Sequence, residues 1–203
     1  MKMEILKIND NDLQKLRNII DSYVGTKTAS SLSMIINEPV NHRIRRIIEV
    51  DLNDLDSVIP VFDIIPMCSV CMKGQGDVNV MLLFFMPSSM ARKFAAKLLG
   101  VKNMTKLSSL GRSSLSEVGN MLTGSFFNAL SAGTGFQIDL SIPGFAVNTF
   151  KALLESPTLE MGTITNSVVI ADAELHAIDS GIKVNMLILF NPPEVRKLLT
   201  ASK

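Results

Sequence analysis

Tryptophan is absent from this 203-residue chain, tyrosine occurs once, and aromatic residues make up 5% of it. Stacking platforms for unpaired bases, which rest on aromatic faces, are therefore not expected. No sign of charge dominates: 20 Lys and Arg stand against 19 Asp and Glu, for a formal net charge of +1. A general nucleic-acid surface needs a field of cations, so no nucleic-acid partner is predicted. Long apolar runs are missing too. The longest, Val80 to Met86, is seven residues, against the roughly 18–20 that a spanning helix requires. The first ten residues carry acid and lack the apolar stretch of a signal peptide. A cytoplasmic protein without membrane insertion is expected. Cysteine and histidine are scarce, at two each. That excludes a disulfide scaffold and leaves a four-ligand zinc site hard to assemble. Cys68-Ser-Val-Cys71 lies in an expected strand, where positions three apart face opposite sides, so free buried thiols are predicted rather than a redox pair.

Hydrophobic residues, at 47%, supply ample material for a core, and their spacing outlines an α+β fold. Leu13, Leu16, Ile19 and Ile20 recur at helical intervals behind a cap at Asp10 or Asn11. A second helical stretch, Thr28 to Ile36, ends before Pro39. Val40 to Val50 reads as a strand with basic residues on one face, and Val58 to Met67 as the start of another. Cys68 to Met86 reads as a hairpin turning at Gly74-Gln75-Gly76-Asp77, its second strand buried on both faces. Ser88 or Ser89 caps a helix stopped by Gly100, and Ser108 to Ser131 is a long helix ending near Gly133-Thr134-Gly135. Phe136 to Ile142 alternates up to Pro143, Val168 to Phe190 forms a second hairpin through Asp179-Ser180-Gly181, and a short helix follows Pro192. The order repeats: a strand ending Phe-Phe-Met-Pro before a helix with Arg92-Lys93 matches one ending Ile-Leu-Phe-Asn-Pro before a helix with Arg196-Lys197. The reading is one pseudo-twofold domain, with a first half at about 10–100 and a second at about 101–203. An antiparallel sheet would carry the two long helices on one face.

The densest polar set lies on the helix opening the second half. Ser113, Glu117 and Asn120 are spaced i, i+4, i+7 and share one face with Gly124. Gly119 and Gly124 are each unfavourable in a helix by roughly 1 kcal/mol, which points to close approach of another backbone, either a partner's or the chain's own sheet. Pro143 follows beyond the helix.

This constellation resembles the CheC/CheX/FliY family of response-regulator phosphatases, whose signature is Ser-x3-Glu-x2-Asn followed by Pro. Glu117-Val-Gly-Asn120-Met-Leu-Thr-Gly-Ser-Phe-Phe-Asn-Ala-Leu-Ser131 is similar to the core of CheC itself, and the helix before it is similar as well. The resemblance implies a CheC-like duplicated fold and removal of phosphate from the phospho-aspartate of CheY. Asn120 would orient the attacking water, since a neutral carboxamide accepts from water without repelling phosphoryl oxygens. Glu117 would contact a lysine of the regulator, with Ser113 and Pro143 in support. No cofactor of the chain's own is implied, and magnesium would belong to the partner's pocket. The helix Met90 to Leu99 is a candidate contact for the deamidase CheD. The alternative is a non-catalytic adaptor that binds CheY, CheD or flagellar-switch proteins.

The family's first half normally carries a second copy of the motif. Aligning Leu32-Ser33 with Leu130-Ser131 without gaps puts Ile19 opposite Glu117, Ser22 opposite Asn120 and Arg45 opposite Pro143. The first half is therefore read as a degenerate copy. His42, Arg43, Arg45 and Arg46 are expected on the solvated face of a strand, and Asp172, Glu174 and His176 on the outer face of another.

Overall fold

The computed structural model describes residues 7–57, 65–161 and 165–201. The Asn9 side chain accepts from the Asp12 amide and starts α1 (Asp10–Tyr23). The helix does not stop where the sequence suggests two elements. It passes through a π segment (Val24–Ala29) into α2 (Ser30–Ile36). Gly25 and the β-branched Thr26 and Thr28 lie in that segment, where the widened turn carries an extra residue. Asn37 then closes the run in the left-handed region, φ 52°. The counterpart, α4 (Ser109–Thr134), is capped by Ser108 at one end and by Gly135, φ 80°, at the other.

The strands are β1 (Val40–Asp51), β2 (Met67–Gly76), β3 (Val80–Pro87), β4 (Ile138–Leu140), β5 (Gly144–Asn148), β6 (Ser167–Ala177) and β7 (Lys183–Phe190). Their order across the sheet is β1-β6-β7-β3-β2-β4, with β5 also paired to β2, and every pairing is antiparallel. The central hairpins come one from each half. Each outer strand pairs with the other half's hairpin, so the order reads alike from both ends. Short helices α3 (Ser88–Leu98) and α6 (Pro192–Ala201) follow β3 and β7.

Strand alternation builds a two-sided core. Val80, Leu82, Phe84 and Met86 face the layer of α1, α2 and α4, whereas Met81, Leu83 and Phe85 join Phe150, Leu153 and Leu154 of α5 (Phe150–Met161) on the other side. The prediction of a strand buried on both faces holds for β3. Cys68 belongs to the first cluster and Cys71 packs against the second, so the two thiols point apart as expected and are free. Burial pushes the Cys71 thiol up to about 11, which keeps it protonated at neutral pH.

Several sequence expectations change. Neither Ser88 nor Ser89 caps α3: its cap residue is Pro87 without a side-chain bond, and the Ser88 hydroxyl lies 3.5 Å from Cys68 Sγ instead. Residues 58–64, most of the stretch Val58 to Met67 where a strand is expected to start, lie outside the described residues. Strand β5 and helix α5 were not anticipated. The exposed face of β5 and the Pro157 inside α5 hide both from simple periodicity. The basic cluster is not merely solvated. A bulge at Arg45 shifts the β1 register, and Arg43, Arg45 and Arg46 all reach β6 carboxylates: Arg45 is 2.7 Å from Asp172, Arg46 3.5 Å from Asp172, and Arg43 3.4 Å from Glu174. Asp172 is accordingly buried rather than outward and open.

Candidate active site

Helix α4 lies antiparallel to the first long helix. Tyr23 packs edge-on against Phe126, with ring centroids 6.4 Å apart, and the Ser125 hydroxyl meets that of Ser31 at 2.9 Å. Leu115, Val118, Leu122, Phe126 and Leu130 turn inward. The opposite ridge is left to solvent: Ser113, Glu117 and Asn120 are all exposed. Among the described residues, no hydrogen bond or ion pair engages the side chain of Glu117 or Asn120. A carboxylate and a carboxamide thus project side by side from a well-packed 26-residue helix. Both retain their full bonding capacity for something outside the chain.

The two helix glycines separate. A Cβ on Gly119 would lie 2.6 Å from Val70 Cγ1, whereas one on Gly124 would meet nothing within 4 Å. Gly119 therefore answers to the chain's own sheet, letting α4 settle onto β2 directly beneath Asn120. On the same side of that sheet, Phe145 of β5 pairs with Val70 and faces Val118, Gly119 and Leu122. Pro143 is half-buried in the link that leads into β5. Its neighbour Ile142 is 89% exposed.

Apolar residues flank the polar ridge. Met121 is 45% exposed and Leu110 62%. On the first long helix, Met34 is 77% exposed. Each of these two methionines stands one helical turn from a polar residue, Met34 from Ser30 and Met121 from Glu117.

In the first half the ungapped alignment misplaces the counterpart. Ile19, set opposite Glu117, packs against the core. A π turn adds one residue, so positions upstream of it slide back by one. Gln14, Asn18 and Asp21 then stand opposite Ser113, Glu117 and Asn120, and all three are exposed. The chemistry is transposed, with the carboxamide where the carboxylate should be. Both groups are also engaged: Gln14 Nε2 donates to Asn18 Oδ1 at 3.3 Å, and Asp21 Oδ1 is 3.2 Å from His42 Nε2. Among the described residues, no three His, Cys, Asp or Glu side chains converge as metal ligands, and no helix is long and apolar enough to cross a membrane.

The resemblance to the CheC/CheX/FliY group is borne out: the CheC-like family model matches residues 110–146, the segment holding Ser113, Glu117, Asn120 and Pro143. Over nearly its whole length, the chain is similar to the CheY-P phosphatase CheC of Bacillus subtilis (strain 168). The two are 23% identical over 201 residues, covering 96% of this chain and 95% of that protein. The fold is shared with FliY from Thermotoga maritima, at TM-score 0.75 and 16% identity over 97% of this chain and 98% of that one. It is also shared with a chain of the CheX–CheY–BeF3–Mg complex from Borrelia burgdorferi, at TM-score 0.53 and 16% identity over 88% and 99% of the two chains.

Proposed function

We propose that this chain is a cytoplasmic phosphatase for the aspartyl phosphate of a CheY-type receiver in chemotaxis. The observation that carries the reading is the free Glu117–Asn120 pair on the exposed ridge of α4. An acyl phosphate is intrinsically reactive, so hydrolysis asks mainly for a placed water. The Asn120 carboxamide enters the receiver's acidic pocket and its Oδ1 accepts from that water. The water oxygen bonds to phosphorus as the phosphorus–oxygen bond to the aspartyl carboxylate breaks. Inorganic phosphate and a free aspartate are released. Magnesium would belong to the receiver's pocket, where it would neutralise charge on the phosphoryl oxygens. One turn back, Glu117 takes a receiver lysine in a charge-assisted bond that sets the register of docking. Ser113 extends the contact. Pro143 stiffens the link into β5, and Met121 and Ile142 supply adaptable apolar contact around the polar tip. The name of the similar Bacillus subtilis protein and the receiver bound in the Borrelia burgdorferi complex both support this reading.

A second reading, an adaptor that holds a receiver, CheD or a flagellar-switch protein without turnover, draws on the transposed first-half positions. Phosphate decay at one chain to many phosphorylated receivers separates the two. The phosphatase reading predicts many phosphates released per chain. Release that stops at one per chain, or a rate equal to the receiver's own, contradicts it.

A further inference from the structure

A second site of different chemistry lies away from the α4 ridge. Along α3, Ser89, Arg92, Lys93, Ala96 and Lys97 fall on one face at helical spacing. That face, the loop bearing Lys102 and Thr105, and the β6–β7 turn at Ser180 line an open groove of about 560 Å³. Small-molecule sites typically occupy about 300–1,000 Å³. Four cations line it. Only Lys97 has an ion-pair partner among the described residues, the buried Glu38 at 3.4 Å. Glu38 is already committed, accepting from both the amide and the hydroxyl of Ser180. Four cations against one carboxylate leave about three uncompensated positive charges in a chain whose net charge is +1.

The duplicated fold supplies its own control. The shallow surface beside α6 holds Arg196 and Lys197 where α3 has Arg92 and Lys93. There the charge is balanced. Lys197 lies 3.1 Å from Glu194 and donates to the Asp77 carbonyl oxygen, and Arg196 is engaged as well. Glu194 stands two residues before Arg196, and Met90 stands two before Arg92. The first-half groove has lost the neutralising acid and gained Lys102 from the loop.

We propose that the α3 groove binds a small molecule bearing a chain of at least two phosphates. A terminal phosphate carries about −1.5 to −2 charges at neutral pH and each bridging unit of a chain about −1, so a chain of two or three carries about −3 to −4, close to the excess in the groove. Arg92 offers a planar fork to one phosphate, and Lys93, Lys97 and Lys102 act as point charges around the rest. Ala96, Val101 and Ile182 give an apolar wall to an organic remainder. Bound there, the ligand ties α3 to the β6–β7 turn.

The test is calorimetric titration of the full chain with inorganic tripolyphosphate, with adenosine triphosphate, and with polyglutamate. Parent protein is compared with Lys93→Ala/Lys102→Ala and with Arg196→Ala. Lys93 and Lys102 are exposed, so their replacement leaves the fold intact, which a melting curve verifies. The expected result is one-site binding of a phosphate chain, weakened at least about tenfold in the double variant and kept within twofold in Arg196→Ala. Tighter binding of the nucleotide than of tripolyphosphate assigns an organic ligand, and equal binding an inorganic one. No binding of either, equal loss in Arg196→Ala, or preference for polyglutamate overturns the proposal.

Discussion

The two long helices occupy corresponding places and differ in what their outer faces are free to do. On the first, Asn18 accepts from Gln14 and Asp21 meets His42. On α4, Glu117 and Asn120 are spoken for by nothing among the described residues. The first helix also carries a π segment where α4 runs regularly for 26 residues. A straight helix seated on the sheet through Gly119 holds its outward groups in fixed relative positions. The general lesson is that polar spacing alone does not make a site. The groups must also be unpaired and rigidly mounted.

That contrast breaks at Glu117. Glu117→Lys is expected to lower kcat/KM for the phosphorylated receiver by roughly ten- to a hundred-fold, chiefly through KM, because like charges then meet across the interface. A loss confined to kcat would move Glu117 out of docking. Next comes the mounting of the helix. Gly119→Ala drives a methyl into Val70 and is expected to destabilise by about 1–3 kcal/mol in denaturant unfolding. Gly124→Ala meets open space and is expected to stabilise by about 0.5–1 kcal/mol. Equal effects at the two positions would refute the assignment of Gly119 to the sheet.

The end of the first helix adds a pH dependence. Burial alone would raise the Glu38 carboxyl, but the Ser180 hydroxyl and amide and the Lys97 ammonium outweigh it and hold the group below its usual range. A depressed carboxyl contributes stability that is present above its unfolded value of about 4.3 and is lost as pH falls through its lower folded value. Glu38→Gln is therefore expected to be less stable than the parent at neutral pH. Its stability should decline less steeply from about pH 5 downward, read from unfolding curves across that range. A parallel decline in both proteins would show that Glu38 does not carry the effect.

Much of this was legible in the sequence. The helical spacing of Ser113, Glu117 and Asn120 announced an exposed ridge, and the paired hairpins announced the sheet. Gly100 and Gly135 marked helix ends correctly because left-handed caps leave a residue-specific trace. What stayed hidden is physical in origin. A π turn changes the register by one residue without any distinctive composition, so Ile19 and Ser22 were set opposite the motif in place of Asn18 and Asp21. A bulge at Arg45 turned an apparently solvated cluster into partners for Asp172 and Glu174. The short β5 pairs through its backbone while its side chains stay mostly outside, leaving no apolar alternation to read.

The central claim rests on one carboxamide, and it is tested most directly by phosphate decay from a CheY-type receiver with catalytic amounts of Asn120→Ala beside Asp21→Ala. Both substitutions lie on exposed helix faces, and matched melting temperatures verify that both variants are folded. The account predicts that Asn120→Ala loses roughly a hundredfold or more of the acceleration, the scale for removing one group that acts only in the transition state. Asp21→Ala should retain the parent rate. Full activity in Asn120→Ala, or an equal loss in Asp21→Ala, would contradict it.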